Sequence, residues 1–163
     1  MHAARPGSDV RLRLELPSIP DSVGLVRDVI STVARSAELD VDLVDDMRSA
    51  ISEACNNAVL HAYPLTPGPL IFSLAVRGDS IEAIVRDQGC GIRPGSCRNR
   101  GLGMGVTLIN SLADRAEFES SALGTEVRMR FRRLAPAPVD GISLAAWELT
   151  DPRSSDALRA RSD

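Results

Sequence analysis

The order in which two hydrophobic periods follow one another restricts this chain more than any other feature. Asp9 to Pro17 (DVRLRLELP) puts Val10, Leu12, Leu14 and Leu16 at every second position, the pattern of a half-buried strand. From Pro20-Asp21-Ser22 the period lengthens, and Val23, Val26, Val29, Ile30 and Val33 share one face of a helix. A second helix is expected from about Asp40 to about Tyr63, where Pro64 and the PLTPGP cluster end it. Leu70 to Val76 and Ile81 to Arg86 read as a hairpin around a Gly78-Asp79 turn. A glycine-rich stretch, Gly89 to Gly105, leads into an apolar helix from about Met104 to Leu112. Strands Ala116 to Ser120 and Thr125 to Phe131 close the series, joined by a Ser-Ala-Leu-Gly turn. This order implies an α+β fold, a two-layer α/β sandwich whose mixed, mostly antiparallel sheet carries helices on one face. The strand–helix alternation of a doubly wound fold is absent.

At 163 residues the chain holds one core. Residues 1–8 read as an N-terminal arm and 9–133 as the domain. From Leu134 the APAPVDG composition and polar end (134–163) read as a Pro/Ala linker with a flexible tail. The tail contains Trp147, a side chain suited to docking on the body or on a partner. All 19 basic residues are arginine, which excludes a P-loop, a conventional protein kinase with its strand lysine, and a pyridoxal enzyme with its Schiff-base lysine. Cys55, Cys90 and Cys97 are odd in number and lack zinc-site spacing, as expected of reduced thiols in a cytoplasmic protein. No basic stripe marks direct nucleic-acid binding. No apolar run approaches a membrane span, and the first ten residues hold no apolar signal core.

Chemistry concentrates in four places. In Ala50 to Ala62 (AISEACNNAVLHA), Glu53 is the only formally charged residue, too few for a helix with one face in water. Glu53, Asn57 and His61 fall at i, i+4 and i+8 and stack as one polar stripe. Such a stripe in a largely buried helix is either a hydrogen-bonded structural feature or a ligand site. Asp87, Gly89 and Gly91 follow a strand, where small residues allow a flat ligand close to the backbone and the carboxylate can accept from an exocyclic amine. Taken alone, the same string also makes simple turns. Gly101 to Val106 (GLGMGV) precedes a helix, where unhindered N–H groups and the helix dipole favour phosphate. Gly124-Thr125 turns into the last strand and says little alone.

Together, E-x-x-x-N-A-x-x-H-A-Y from Glu53, D-x-G-x-G from Asp87, G-x-G-M-G from Gly101 and Gly124-Thr125 resemble the GHKL ATPase superfamily, and most of all its anti-sigma-factor serine kinases. The resemblance spans about Val10 to Phe131 and implies the Bergerat ATP-binding sandwich. It also implies a set of roles. Asn57 would ligate Mg²⁺ and Glu53 would act as general base. Asp87 would accept from the adenine amine, Gly89 and Gly91 would let the base lie flat, and Thr125 would support Asp87 or a bridging water. Gly101, Gly103, Met104 and Gly105 would form the phosphate-binding turn, while His61 and Asn56 receive no role. The segment between the glycine boxes, Ile92 to Leu102, is short for the family. It carries Arg93, Arg98 and Arg100; Arg100 lies one position from the place of a γ-phosphate-contacting arginine, and Arg100 or Arg98 would fill that role, the alternative being a solvated basic loop.

The function implied is an ATP- and Mg²⁺-dependent anti-sigma factor that phosphorylates an anti-anti-sigma partner, with a sigma factor as its other protein partner and a homodimer as its assembly. The alternative is a catalytically weak, ATP-gated binding module, which the short segment favours. A sensor histidine kinase fares worse, because only His2 lies upstream of the Glu53 motif.

Overall fold

Alternation in the sequence becomes the two faces of one sheet. The computed structural model describes residues 10–91 and 102–133. Its elements are strand β1 (Val10–Pro17), helices α1 (Pro20–Ser36) and α2 (Val41–Asn57), a π-helical turn (Ala58–Ala62), strands β2 (Pro69–Arg77) and β3 (Ser80–Asp87), helix α3 (Leu102–Leu112), and strands β4 (Arg115–Ser121) and β5 (Gly124–Arg132). The strand order is β1-β2-β3-β5-β4.

Every strand pair is antiparallel, so the mostly antiparallel sheet expected from the sequence contains no parallel pair. The crossover through α3 does return β4 in the direction of β3. However, β5 folds back between the two, so no parallel pair forms.

The register lines the apolar positions into rows. Leu14, Phe72, Val85 and Val127 are neighbours, as are Leu12, Leu74, Ala83 and Met129, and then Val10, Val76, Ile81 and Phe131. Against these rows pack Val26 and Ile30 of α1, Met47, Ile51 and Cys55 of α2, and Ile109 of α3, all fully buried. Each such aliphatic side chain is worth about 1.5–3 kcal/mol relative to exposure. α2 packs against both α1 and α3. The other sheet face is solvated, with Arg128 and Arg130 reaching Glu82 and Arg128 also reaching Glu126. No helix among the described residues is long and apolar enough to cross a membrane.

Local chemistry sets the helix ends. Pro20 occupies the first turn of α1, where its missing N–H costs nothing. The Asp40 side chain caps α2 by accepting from the Asp42 N–H at 2.9 Å. The single long helix expected over 40–63 is α2 plus the π-helical turn, in which i→i+5 bonding widens the last turn before Tyr63. α3 starts at Leu102, so Gly103 and Gly105 lie inside its first turn rather than ahead of it.

Candidate functional site

Glu53 and Asn57 sit one turn apart on α2, both half-buried, while Ala50, Ile51, Ala54 and Cys55 turn into the core. The apolar face fixes the rotation of the helix, and that rotation directs the polar pair at α3. There they meet Gly105. A side chain begun at Gly105 would overlap the Glu53 carboxylate and lie 3.2 Å from Asn57 Nδ2. The glycine thus lets the first turn of α3 lie directly on the carboxylate–amide pair. The first N–H groups of a helix have no partner within it, and those of Gly103, Met104 and Gly105 belong to the first turn of α3, at the positive end of its dipole. The Met104 side chain is 83% exposed.

The third member of the expected stripe does not stay in line. His61 lies in the π-helical turn, whose wider spacing breaks the i, i+4, i+8 alignment after Asn57. Its backbone carbonyl accepts from the Cys90 thiol at 3.5 Å.

Asp87 ends β3 in the core-facing row, beside Leu70, at a position where alternation would otherwise place an apolar residue. It is buried, with 6% of its surface exposed. Its Oδ1 accepts two backbone N–H groups, from Gly89 at 2.9 Å and Thr125 at 3.2 Å. Among the described residues no donor reaches Oδ2. Burial pushes the carboxyl above its ordinary range, and the two N–H donors partly offset that shift. The result is a buried acceptor with one oxygen held and the other available.

Thr125 supports Asp87 through its backbone, while its hydroxyl pairs with Ser120 Oγ at 3.3 Å. Gly89 lies against the Ala62 carbonyl, and the Cys90 N–H donates to that oxygen at 3.0 Å. Gly91 has φ +66° and lies against the Ser121 carbonyl. Gly124 has φ +128° and lies on the Asp87 carbonyl, so the β4–β5 turn closes over the end of β3. Arg100 and Gly101 lie outside the described residues.

Sequence reasoning missed Tyr63. Its hydroxyl donates to the Pro69 carbonyl at 2.7 Å and accepts from the Gln88 N–H at 2.7 Å. It ties the end of the π-helical turn to β2 and to the residue after Asp87. Burial raises its pKa, the Gln88 donor lowers it, and the Asp87 charge raises it. The signal is present in the sequence: this is the only tyrosine of the chain, the last residue of the Glu53 motif and directly before a proline.

The two halves are joined through one run of chain. Asn57 leads into the π-helical turn, whose last residue, Ala62, packs on Gly89, two residues after Asp87. A cleft of about 540 Å³ opens beside Glu53, lined also by Met104, Gly105, Thr107, Leu108 and Ser111. No group of three His, Cys, Asp or Glu side chains able to hold a metal occurs among the described residues. A cation here would need one protein ligand and oxygens brought by its substrate. The side-chain amide of Asn57, beside the first turn of α3, is a donor set of that kind, and a helix N-terminus suits phosphate oxygens.

The profile of the histidine kinase-like ATPase domain matches residues 16–131. The serine-protein kinase RsbW of Bacillus velezensis is 39% identical over 79 residues, covering 48% of this chain and 49% of that protein. RsbW of Halalkalibacterium halodurans is 30% identical over 154 residues, covering 84% of this chain and 94% of that protein. The chain spans about half the length of the Bacillus velezensis, Bacillus licheniformis and Bacillus subtilis relatives it matches. Among solved structures, the RsbU and RsbW domains of a Mycobacterium tuberculosis protein share the fold. The TM-score is 0.65 at 24% identity, over 78% of this chain and 34% of that one. The histidine kinase domain of a blue-light-activated kinase from Erythrobacter litoralis gives 0.51 at 16% identity, over 81% and 66%.

Proposed function

The chain belongs to the histidine kinase-like ATPase domain family, and on that premise we propose that it is an ATP-dependent anti-sigma factor with protein serine kinase activity. It phosphorylates an anti-anti-sigma partner and releases or captures a sigma factor accordingly. The observation that carries this reading is the seat of Gly105 on Glu53 and Asn57. A carboxylate, an amide and a helix N-terminus lie side by side there, with an open cleft next to the carboxylate, and this supports the reading.

In this reading the free Oδ2 of Asp87 accepts the exocyclic amine of adenine, which discriminates against bases lacking that donor. N–H groups of Gly101, Gly103, Met104 and Gly105 hold the phosphates. The Asn57 amide oxygen would hold Mg²⁺, which would supply charge neutralisation for the phosphate groups when bound. Glu53 takes the proton from the partner's serine hydroxyl as that oxygen bonds to the γ-phosphorus. The bond from phosphorus to the β–γ bridging oxygen breaks, and ADP leaves. Arg100 stabilises the charge on the transferred group. The protein works in the cytoplasm as a homodimer, and sedimentation of the purified chain tests the dimer.

Incubation with γ-labelled ATP, Mg²⁺ and host lysate, beside Glu53→Ala, tests the kinase. Label on one small protein is expected with the wild type and should fall about 10²- to 10⁴-fold in the variant while ATP is still retained. Equal labelling by both would remove Glu53 as base. Retained ATP with no transfer by either would leave the ATP-gated binding module, the reading that the short Ile92–Leu102 segment favours.

A further inference from the structure

At the end of α2 away from Glu53, a groove of about 840 Å³ opens between the start of α2, the end of α3 and the end of β5. Leu39, Leu43, Leu112 and Phe131 form its apolar floor. Leu39, Leu43 and Leu112 are only half-buried, although each packs on the core. Asp40, Asp42, Asp46 and Asp114 stand around them. Beside the groove, Val41 is 68% exposed. Such a concave apolar floor in a soluble domain marks a place where another segment binds.

The chain itself delivers a candidate there. Arg132 and Arg133, the last described residues, line this groove. Their direction is fixed: the Arg132 N–H donates to Asp114 Oδ2 at 2.7 Å, and the Arg133 N–H to the Asp79 carbonyl at 2.7 Å. The described chain therefore ends at the groove, with Arg133 in its lining. Ala135-Pro136-Ala137-Pro138 is the sequence of a stiff spacer, about 3.1 Å per residue. Beyond it, Gly141 to Leu149 (GISLAAWEL) gathers Ile142, Leu144, Trp147 and Leu149. Nine residues from Arg133 to Ile142 span up to about 30 Å and fourteen to Trp147 up to about 50 Å, so the segment is long enough to return to the floor. A tether this short acts as a local concentration in the millimolar range, ahead of any free partner.

We propose that the segment Gly141 to Leu149 of this same chain docks in the groove, with Trp147 as its anchor. Ser111 lines both this groove and the cleft beside Glu53. The docked tail thus borders the cleft where a protein substrate would approach.

Trp147 is the only tryptophan of the chain, so its fluorescence reports on docking without labels. In the full chain its emission should be blue-shifted, and acrylamide should quench it several-fold less than N-acetyltryptophanamide. Leu149→Asp alters only the tail and should raise quenching to the free value. Leu43→Asp should do the same from the groove side, with circular dichroism checking the fold; should that variant not fold, Ser111→Arg at an exposed position replaces it. Quenching as fast as the free compound in the wild type would overturn the proposal. So would shielding that a folded groove variant leaves unchanged. Shielding that disappears on dilution would assign the groove to the tail of a second copy, and this also overturns the proposal.

Discussion

Replacing Gly105 with alanine should separate stability from catalysis. A methyl group at this position overlaps the Glu53 carboxylate and lies 3.1 Å from its Cδ. The obstructing atom is the far end of a flexible side chain, so the carboxylate can rotate away. It must move by about 1 Å to regain a separation of about 3.5 Å. Holding it off its rotamer costs about 0.5–1.5 kcal/mol. Alanine recovers about 1 kcal/mol of helix propensity over glycine, so the two effects nearly cancel. A displacement of 1 Å in a catalytic group is nonetheless enough to lose about 10²-fold in rate. Urea unfolding and single-turnover phosphotransfer on the same preparation check both halves. The unfolding free energy should change by less than about 1 kcal/mol while transfer falls about 100-fold. Wild-type transfer would refute the placement of Glu53 as base. A loss above about 3 kcal/mol would refute the view that only a yielding side chain stands in the way.

Asp87→Asn keeps an oxygen for the Gly89 and Thr125 N–H groups but turns the free acceptor into a donor, so ATP affinity should fall by about 10²-fold or more in calorimetry. Because burial raises the Asp87 pKa, the folded state holds more protons than the unfolded state between the ordinary and the raised value, and stability falls as pH rises through that window. The asparagine variant should therefore be at least as stable as wild type at neutral pH, with any advantage vanishing on acidification below the ordinary carboxyl range. An advantage that grows on acidification would contradict this. Tyr63→Phe removes a donor to Pro69 and an acceptor for Gln88; thermal unfolding should show a loss of about 1–3 kcal/mol and calorimetry a weaker nucleotide complex, and unchanged values in both would refute the tie. Burial pushes the Cys55 thiol up to about 12, so alkylation followed by mass spectrometry should modify half-buried Cys90 well before Cys55 in the folded protein. Equal labelling would show that the α2 core opens readily.

What the sequence by itself determined is what period and local chemistry encode. Val10 to Leu16 declare a one-sided strand, Asp40 starts α2 as its cap, and Pro64 bounds the segment that ends at Tyr63. The spacing of Glu53 and Asn57 already put them on one helix face, because a helix turn is a local object. Their meeting with Gly105 could not be read in this way, since it joins two helices separated by the whole β2–β3 hairpin. The same holds for β5 between β3 and β4, which makes the sheet fully antiparallel. Partner choice there depends on which long-range pairing buries Val127, Met129 and Phe131. The π-helical turn that takes His61 out of line, and the Tyr63 hydroxyl that bridges to Gln88, likewise arise only once β3 lies beneath the end of α2. Asp87 stands at the boundary between the two. Its place in the alternation is local, but its burial and its two N–H donors come from chain segments that only the tertiary fold brings together.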